Sequence, residues 1–225
     1  MKSFSELHEA FARYRKSNHW IFRGQSNPEW LLVPKTGRPQ YSNQHTTDLA
    51  FFDDWKRRAV EYVSVTPKDD WDWFAVAQHH GLATRLLDWT FNPLAATFFA
   101  VNEKIDSDGV VYAYHDHRMI STDKVSPGEI KGVFRFKPRG VAQRIVRQGG
   151  VFTVHGPPSL ALDKALLPKV RLERVIIDKT YRKELLFELS HYGINSLTLF
   201  PDLDGLSGFV NWVISNSWYW SDREY

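Results

Sequence analysis

Residues 78–100, QHHGLATRLLDWTFNPLAATFFA, set His79, His80, Thr84, Arg85 and Asp88 among leucines and phenylalanines that read as buried. Polar groups in apolar surroundings need partners, because an unpaired one costs roughly 1–3 kcal/mol. The segment is therefore a tightly specified structural joint or the wall of a site. Gly81 permits a turn after the histidines, so at least one imidazole is expected to face whatever cavity that turn borders. A neutral ring there suits a hydrogen bond to a sugar hydroxyl or general-base work near neutral pH. Adjacent histidines do not both face one way, so one of His79 and His80 is expected to be structural. If the segment turns helically, Arg85 and Asp88 are neighbours and pair. Thr84, Arg85 and Asp88 form one polar cluster, in which on the functional reading Arg85 contacts a phosphate and Asp88 orients either Arg85 or the upstream Arg23. Trp89 then either offers a flat face for stacking a ring or belongs to the core.

A second group lies upstream. Phe22-Arg23-Gly24-Gln25 ends a short apolar run, and a planar guanidinium with a fork of donors matches a phosphate or carboxylate. The structural alternative pairs Arg23 with Asp88 or Asp202. Asp202 and Asp204 sit in a proline-containing turn before the last apolar segment, where Asp202 is also a natural helix cap. No metal is expected: His115 and His117 lack a cysteine and a third neighbour.

The arginine motif and residues 78–100 together resemble the FRG domain, a family of bacterial and phage proteins named for its Phe-Arg-Gly motif. The resemblance continues through Trp30, Leu32 and Pro34, through Arg144, Ile145, Gln148, Gly149 and Phe152, and into residues 200–206. It implies one FRG domain over residues 1–225, with a relationship to ADP-ribosyltransferases. On that relationship NAD is the substrate. Arg23, Gly24, Gln25, His79, Thr84, Arg85 and Trp89 are its binding residues, and His80, Asp202 and Asp204 are catalytic. A carboxylate beside the ribose stabilises the cation formed when the nicotinamide bond breaks. Most ADP-ribosyltransferases use glutamate here, and this chain offers aspartate, with Glu184 and Glu188 as substitutes. The implied setting is a bacterial toxin or anti-phage effector with a nucleic-acid or protein acceptor and an antitoxin or other neutralising partner. The rival is a non-catalytic module that binds a nucleotide or senses a phage component. A nuclease is disfavoured, since no carboxylate cluster for paired magnesium ions is evident.

Composition agrees with a soluble enzyme or binding module. The 225 residues, 43% of them hydrophobic, suffice for one domain with a substantial core. The longest apolar runs, such as 98–101, fall far short of the ~18 residues that cross a bilayer, so no membrane association is expected. Glu6, His8 and Glu9 interrupt the place of a secretory peptide, and there is no cysteine. The expectation is a cytoplasmic protein. Net charge is +3, a mild bias that permits a nucleic-acid partner without requiring one. Between 131 and 147, Lys131, Arg135, Lys137, Arg139, Arg144 and Arg147 occur with no acidic residue, a run that faces a phosphate backbone, a diphosphate or simply water.

The elements expected to position these residues form an α+β domain with a mixed or antiparallel sheet and flanking helices. Apolar spacing of three and four predicts helices over 3–16, 47–63 and 70–79, and Asn92-Pro93 is a cap followed by a first-turn proline. Residues 20–22, 109–115, 132–137, 151–155, 169–178 and 196–200 read as strands, and 181–191 and 203–215 as helices. Gly193 is expected to end the first of these last two, and Gly24 to open the turn after Arg23.

Overall fold

Helix ends are where side chains replace missing backbone partners, and the sequence supplies them in register. In the computed structural model, which describes residues 1–41, 45–103, 105–138 and 149–217, α1 (Phe4–Ala12) starts at Ser3, whose side chain accepts from the Glu6 amide. Thr47 and Asp69 cap α2 (Asp48–Ala59) and α3 (Asp70–His79) in the same way. Asn92 accepts from Leu94 and Ala95 amides at the start of α4 (Pro93–Val101), with the proline in the first turn. Three more helices follow late in the chain: α5 (Arg182–His191), α6 (Ser196–Leu199) and α7 (Leu203–Ser215).

The strands are β1 (Trp20–Gln25), β2 (Leu86–Thr90), β3 (Gly109–His115), β4 (Gly132–Phe136), β5 (Gly150–Gly156) and β6 (Arg171–Ile177). They form one antiparallel sheet in the order β4-β5-β2-β1-β3-β6. One face packs on α1, α4 and α5 through Phe22, Val111, Ala113 and Val175. Farther along the sheet, β5 and Leu86 of β2 pack with α2 and α3. The opposite face buries Ile21, Leu87, Trp89, Tyr112 and Val151 under the loop that carries Leu162.

The sheet is not uniformly closed. β1 runs in register with β3 from Trp20↔His115 to Gln25↔Val110, and β2 with β5 from Leu86↔Val154 to Thr90↔Gly150. Between β1 and β2, however, the register among the described residues is Phe22↔Thr90 alone. Two three-stranded halves, β4-β5-β2 and β1-β3-β6, thus meet at one point and part beyond it. The parting opens along the second half of β1, where Arg23, Gly24 and Gln25 lie.

Gly24 does not open a turn. It lies inside β1, and a Cβ built on it would stand 1.9 Å from the Ala96 carbonyl oxygen and 2.5 Å from the Ala100 amide. α4 therefore crosses β1 backbone against backbone, with Ala96 and Ala100 as its contact face. Gly109 of β3 makes the same allowance toward the Ala100 carbonyl at 2.6 Å. The glycine of the motif is thus a packing requirement of α4 rather than a gap left for a ligand.

One conditional reading is not met and one strand expectation fails. Residues 86–90 form a strand, not a helical turn, because Leu86 and Leu87 bury on opposite faces of the sheet. Residues 196–200 form the short helix α6 rather than a strand, closed by a reciprocal cap in which the Asn195 side chain accepts from the Thr198 amide and the Thr198 hydroxyl from the Asn195 amide. No helix among the described residues is long and apolar enough to cross a membrane.

Candidate functional site

Where β1 and β2 part, a cavity of about 980 Å³ opens, at the upper end of the roughly 300–1,000 Å³ common for ligand sites. Its walls are Arg23, Gly24 and Gln25 of β1, Asp88, Trp89 and Thr90 of β2, and Gln78 and His79 at the end of α3. Phe99 and Glu103 near the end of α4 close one side. Residues of the 29–40 loop, among them Glu29, Trp30 and Arg38, rim the mouth.

Arg23 bridges the parting. Its Nη1 donates to the Asp88 carbonyl at 2.8 Å, a backbone oxygen of the opposite half, and lies 3.8 Å from the Asp88 carboxylate. A side chain here joins strands that no longer join through their own amides. Asp88 is held in turn: Gln78 Nε2 donates to its Oδ2 at 2.8 Å, and Gln78 Oε1 accepts from the Thr84 hydroxyl at 2.6 Å. Burial pulls the Arg23 pKa down and Asp88 opposes that shift. The guanidinium is nonetheless incompletely used, since its buried Nε has no hydrogen-bond partner among the described residues. Gln25 is 4% exposed, and its Oε1 is likewise buried without a partner.

Below this wall the chemistry is closed. Trp89 is buried, and its indole N–H donates to Thr153 Oγ1 at 3.0 Å. The Thr153 hydroxyl lies 3.0 Å from His155 Nε2, and His155 Nδ1 lies 2.7 Å from the Leu160 carbonyl. The carbonyl only accepts, so Nδ1 carries the proton, and Nε2 accepts from Thr153. Burial lowers the His155 pKa to about 4, so the ring is neutral at ordinary pH. The chain of donors locks the Trp89 indole in place, and the ring serves as wall and core rather than as a free stacking platform.

The sequence-derived residues separate cleanly. Arg23, Gly24, Gln25, His79 and Trp89 border one cavity. His80, the C-cap of α3, is exposed and is not among the cavity's lining residues, so it is the histidine turned away. Thr84 is buried behind the wall and acts through Gln78. Arg85 is a structural residue. Its Nε and Nη2 donate to both oxygens of Asp48 at 2.8 and 2.7 Å, and its Nη1 donates to the Pro127 carbonyl. Its expected pairing with Asp88 is replaced by Asp48 because β2 turns the two residues to opposite sides of a strand-end rather than to one helical face.

Asp202 and Asp204 lie outside the cavity lining. Asp202 is the N-cap of α7, accepting from the Gly205 amide at 2.8 Å, and Asp204 is exposed in the first turn. Glu188 instead accepts from the Tyr181 hydroxyl, and Glu184 is exposed. The carboxylates that do line the cavity are Asp88, Glu29 and Glu103. Nothing marks the two glutamates in sequence, since they flank the site from a loop and a helix end. No group of three potential metal ligands occurs among the described residues. In the basic run, Arg135 is buried and donates to the His19 and Asp116 carbonyls, whereas Arg139, Arg144 and Arg147 lie outside the described residues, as do Ile145 and Gln148.

Residues 18–109 match the family model of the FRG domain, and the chain carries an FRG domain over that stretch. The matched residues span β1, α2, α3, β2 and α4, and they include every lining residue of the cavity except Gly150 and Phe152. No curated protein and no solved structure matches the chain.

Proposed function

We propose that this cavity binds NAD and that the protein is an ADP-ribosyltransferase-like enzyme acting on a nucleic-acid or protein acceptor. The observation that carries the reading is Arg23, set in an open seam of the sheet with its Nη1 anchored to Asp88 and its Nε unused. A planar fork held in that way offers a preorganised partner for a diphosphate. His79 is assigned to the ribose. In the reaction the bond between ribose C1′ and the nicotinamide nitrogen breaks, the pyridine leaves with the bonding electrons, and an acceptor nucleophile adds at C1′ and gives up its proton. The positive charge that develops on the ribose calls for a carboxylate. Asp88 is engaged by Gln78 and Arg23, so the role falls to Glu29 or Glu103.

Incubation with NAD and mixed RNA, DNA and protein, with nicotinamide and modified products measured by mass, tests this directly. Nicotinamide release that falls by about 10²-fold or more in Glu29→Gln or Glu103→Gln, with NAD still bound, supports the enzyme. Arg23→Lys keeps the charge and loses the fork, and is expected to weaken NAD binding about tenfold or more. A second reading, a nucleotide-binding or phage-sensing module without turnover, is favoured by Asp202 and Asp204 not being among the residues that line the cavity. Tight NAD binding with no release in the wild type selects it. In either case the setting we propose is a cytoplasmic toxin or anti-phage effector restrained by a neutralising partner.

A further inference from the structure

Arg23 and Gln25 are two residues apart on one strand, so their side chains leave the same face of β1. Both residues line the cavity, and each keeps one buried atom without a partner: a donor at Arg23 Nε and an acceptor at Gln25 Oε1. A phosphate satisfies the donor and can take an N–H from the Gln25 amide, but it presents only lone pairs to Gln25 Oε1 and leaves that acceptor unpaired. A purely apolar group leaves both unpaired. The wall is complementary to a ligand that carries an acceptor for Arg23 and, beside it, an N–H for Gln25.

We infer that Gln25 is the residue by which this cavity selects its ligand, accepting a hydrogen bond from an amide or amino N–H next to the group that Arg23 holds. The inference deepens the NAD reading and rests on it for the ligand's identity. NAD offers such an N–H at two places, the nicotinamide carboxamide and the adenine amino group. Both are planar nitrogen donors, and a pair of analogues separates them. The 3-acetylpyridine dinucleotide replaces the carboxamide nitrogen with a methyl group. The hypoxanthine dinucleotide replaces the adenine amino group with a carbonyl oxygen.

The experiment titrates NAD and both analogues calorimetrically into the wild type, Gln25→Met and Gln25→Glu. Wild type is expected to bind one analogue at least tenfold more weakly than NAD, and that analogue identifies the end of the dinucleotide that Gln25 reads. Gln25→Met is expected to bind NAD no better than the disfavoured analogue, with an unlowered melting temperature in the ligand-free state, because the atom it removes has no partner there. Gln25→Glu keeps an acceptor oxygen and is expected to keep the preference, which preserves the test if the methionine variant folds poorly. Equal affinity of wild type for all three dinucleotides, or unchanged NAD affinity in Gln25→Met, overturns the role of Gln25 and leaves the NAD reading standing. If NAD does not bind, AMP against IMP and nicotinamide against 3-acetylpyridine decide the matter. A preference for the amino or amide member that Gln25→Met abolishes upholds the inference and ends the NAD reading, and absence of binding ends both.

Discussion

Arg23 and Arg85 are both mostly buried arginines in the matched stretch, yet their surroundings differ in one respect that decides what each does. Arg85 spends its donors on both oxygens of Asp48 and on the Pro127 carbonyl, joining α2, β2 and the turn at 127–129. Arg23 reaches one carbonyl and a carboxylate 3.8 Å away, and its Nε is left over beside the unused oxygen of Gln25. A saturated polar cluster has nothing to offer a visitor, and its value is all in the fold. An unsaturated one weakens the fold slightly and becomes complete when something enters. Residue type does not separate the two cases, but the hydrogen-bond inventory does.

Substitutions at the saturated cluster should therefore strike stability first. Asp48→Ala leaves the Arg85 guanidinium buried without its counter-ion, and the expected loss is about 3–5 kcal/mol in unfolding free energy by denaturant titration. A loss under about 1 kcal/mol would erase the contrast drawn between the two arginines.

The closed chain below the cavity adds a pH signature. The folded protein resists protonating His155 down to about 4, whereas the unfolded chain takes up the proton near the ordinary value of 6.5. The unfolded state thus binds more protons in that window. Stability is full above about pH 6.5 and falls as pH drops toward 4, by on the order of 3 kcal/mol from this group. His155→Gln should flatten that part of the stability profile relative to wild type. Parallel profiles for the two proteins would show that another group carries the slope.

Gly24→Ala tests the seam's packing. The added methyl group meets backbone, which does not swing aside, and a cost of about 1–3 kcal/mol is expected from thermal or denaturant unfolding. An unchanged midpoint would mean that α4 shifts freely on β1. The smallest effect belongs to Arg23→Lys, expected to change ligand-free stability by less than about 1 kcal/mol. A change as large as that of Asp48→Ala would reclassify Arg23 as a core residue and remove the basis for a ligand there.

Much of the architecture is legible before any coordinates. The spans of α3, β3 and α7 follow from apolar spacing, from Asn92-Pro93-type punctuation and from β-branched and aromatic runs. The left-handed glycine at 193, φ +73°, follows the end of α5 as a helix-ending glycine should. The site is half legible. Arg23 stands out at the end of an apolar run and the pair His79 and His80 stands out before Gly81, whereas Gln25 is pointed to only by the family resemblance. Which aspartate meets which arginine is not written locally: Asp48 is 37 residues from Arg85, and only the placement of α2 beside β2 brings them together. Asp202 misled for a related reason. A carboxylate before a helix has two good uses, and local spacing favours the cap whatever the rest of the chain does.

The way the chain is threaded through the two half-sheets has a mechanical consequence. Following the strands in order, the backbone passes from one half to the other on four connections, β1 to β2, β2 to β3, β3 to β4 and β5 to β6. Neither half is a continuous piece of chain, so no single cut releases one as an independent folding unit. The parted edge is laced shut at several heights while remaining unbonded along its length. Such a seam can widen or narrow only as far as its laces give, and the shortest lace is at hand: residues 91 and 92 tie the end of β2 to α4, which lies directly on β1. A molecule wedged in the gap would pull on that tie, and α4 is where the strain would surface.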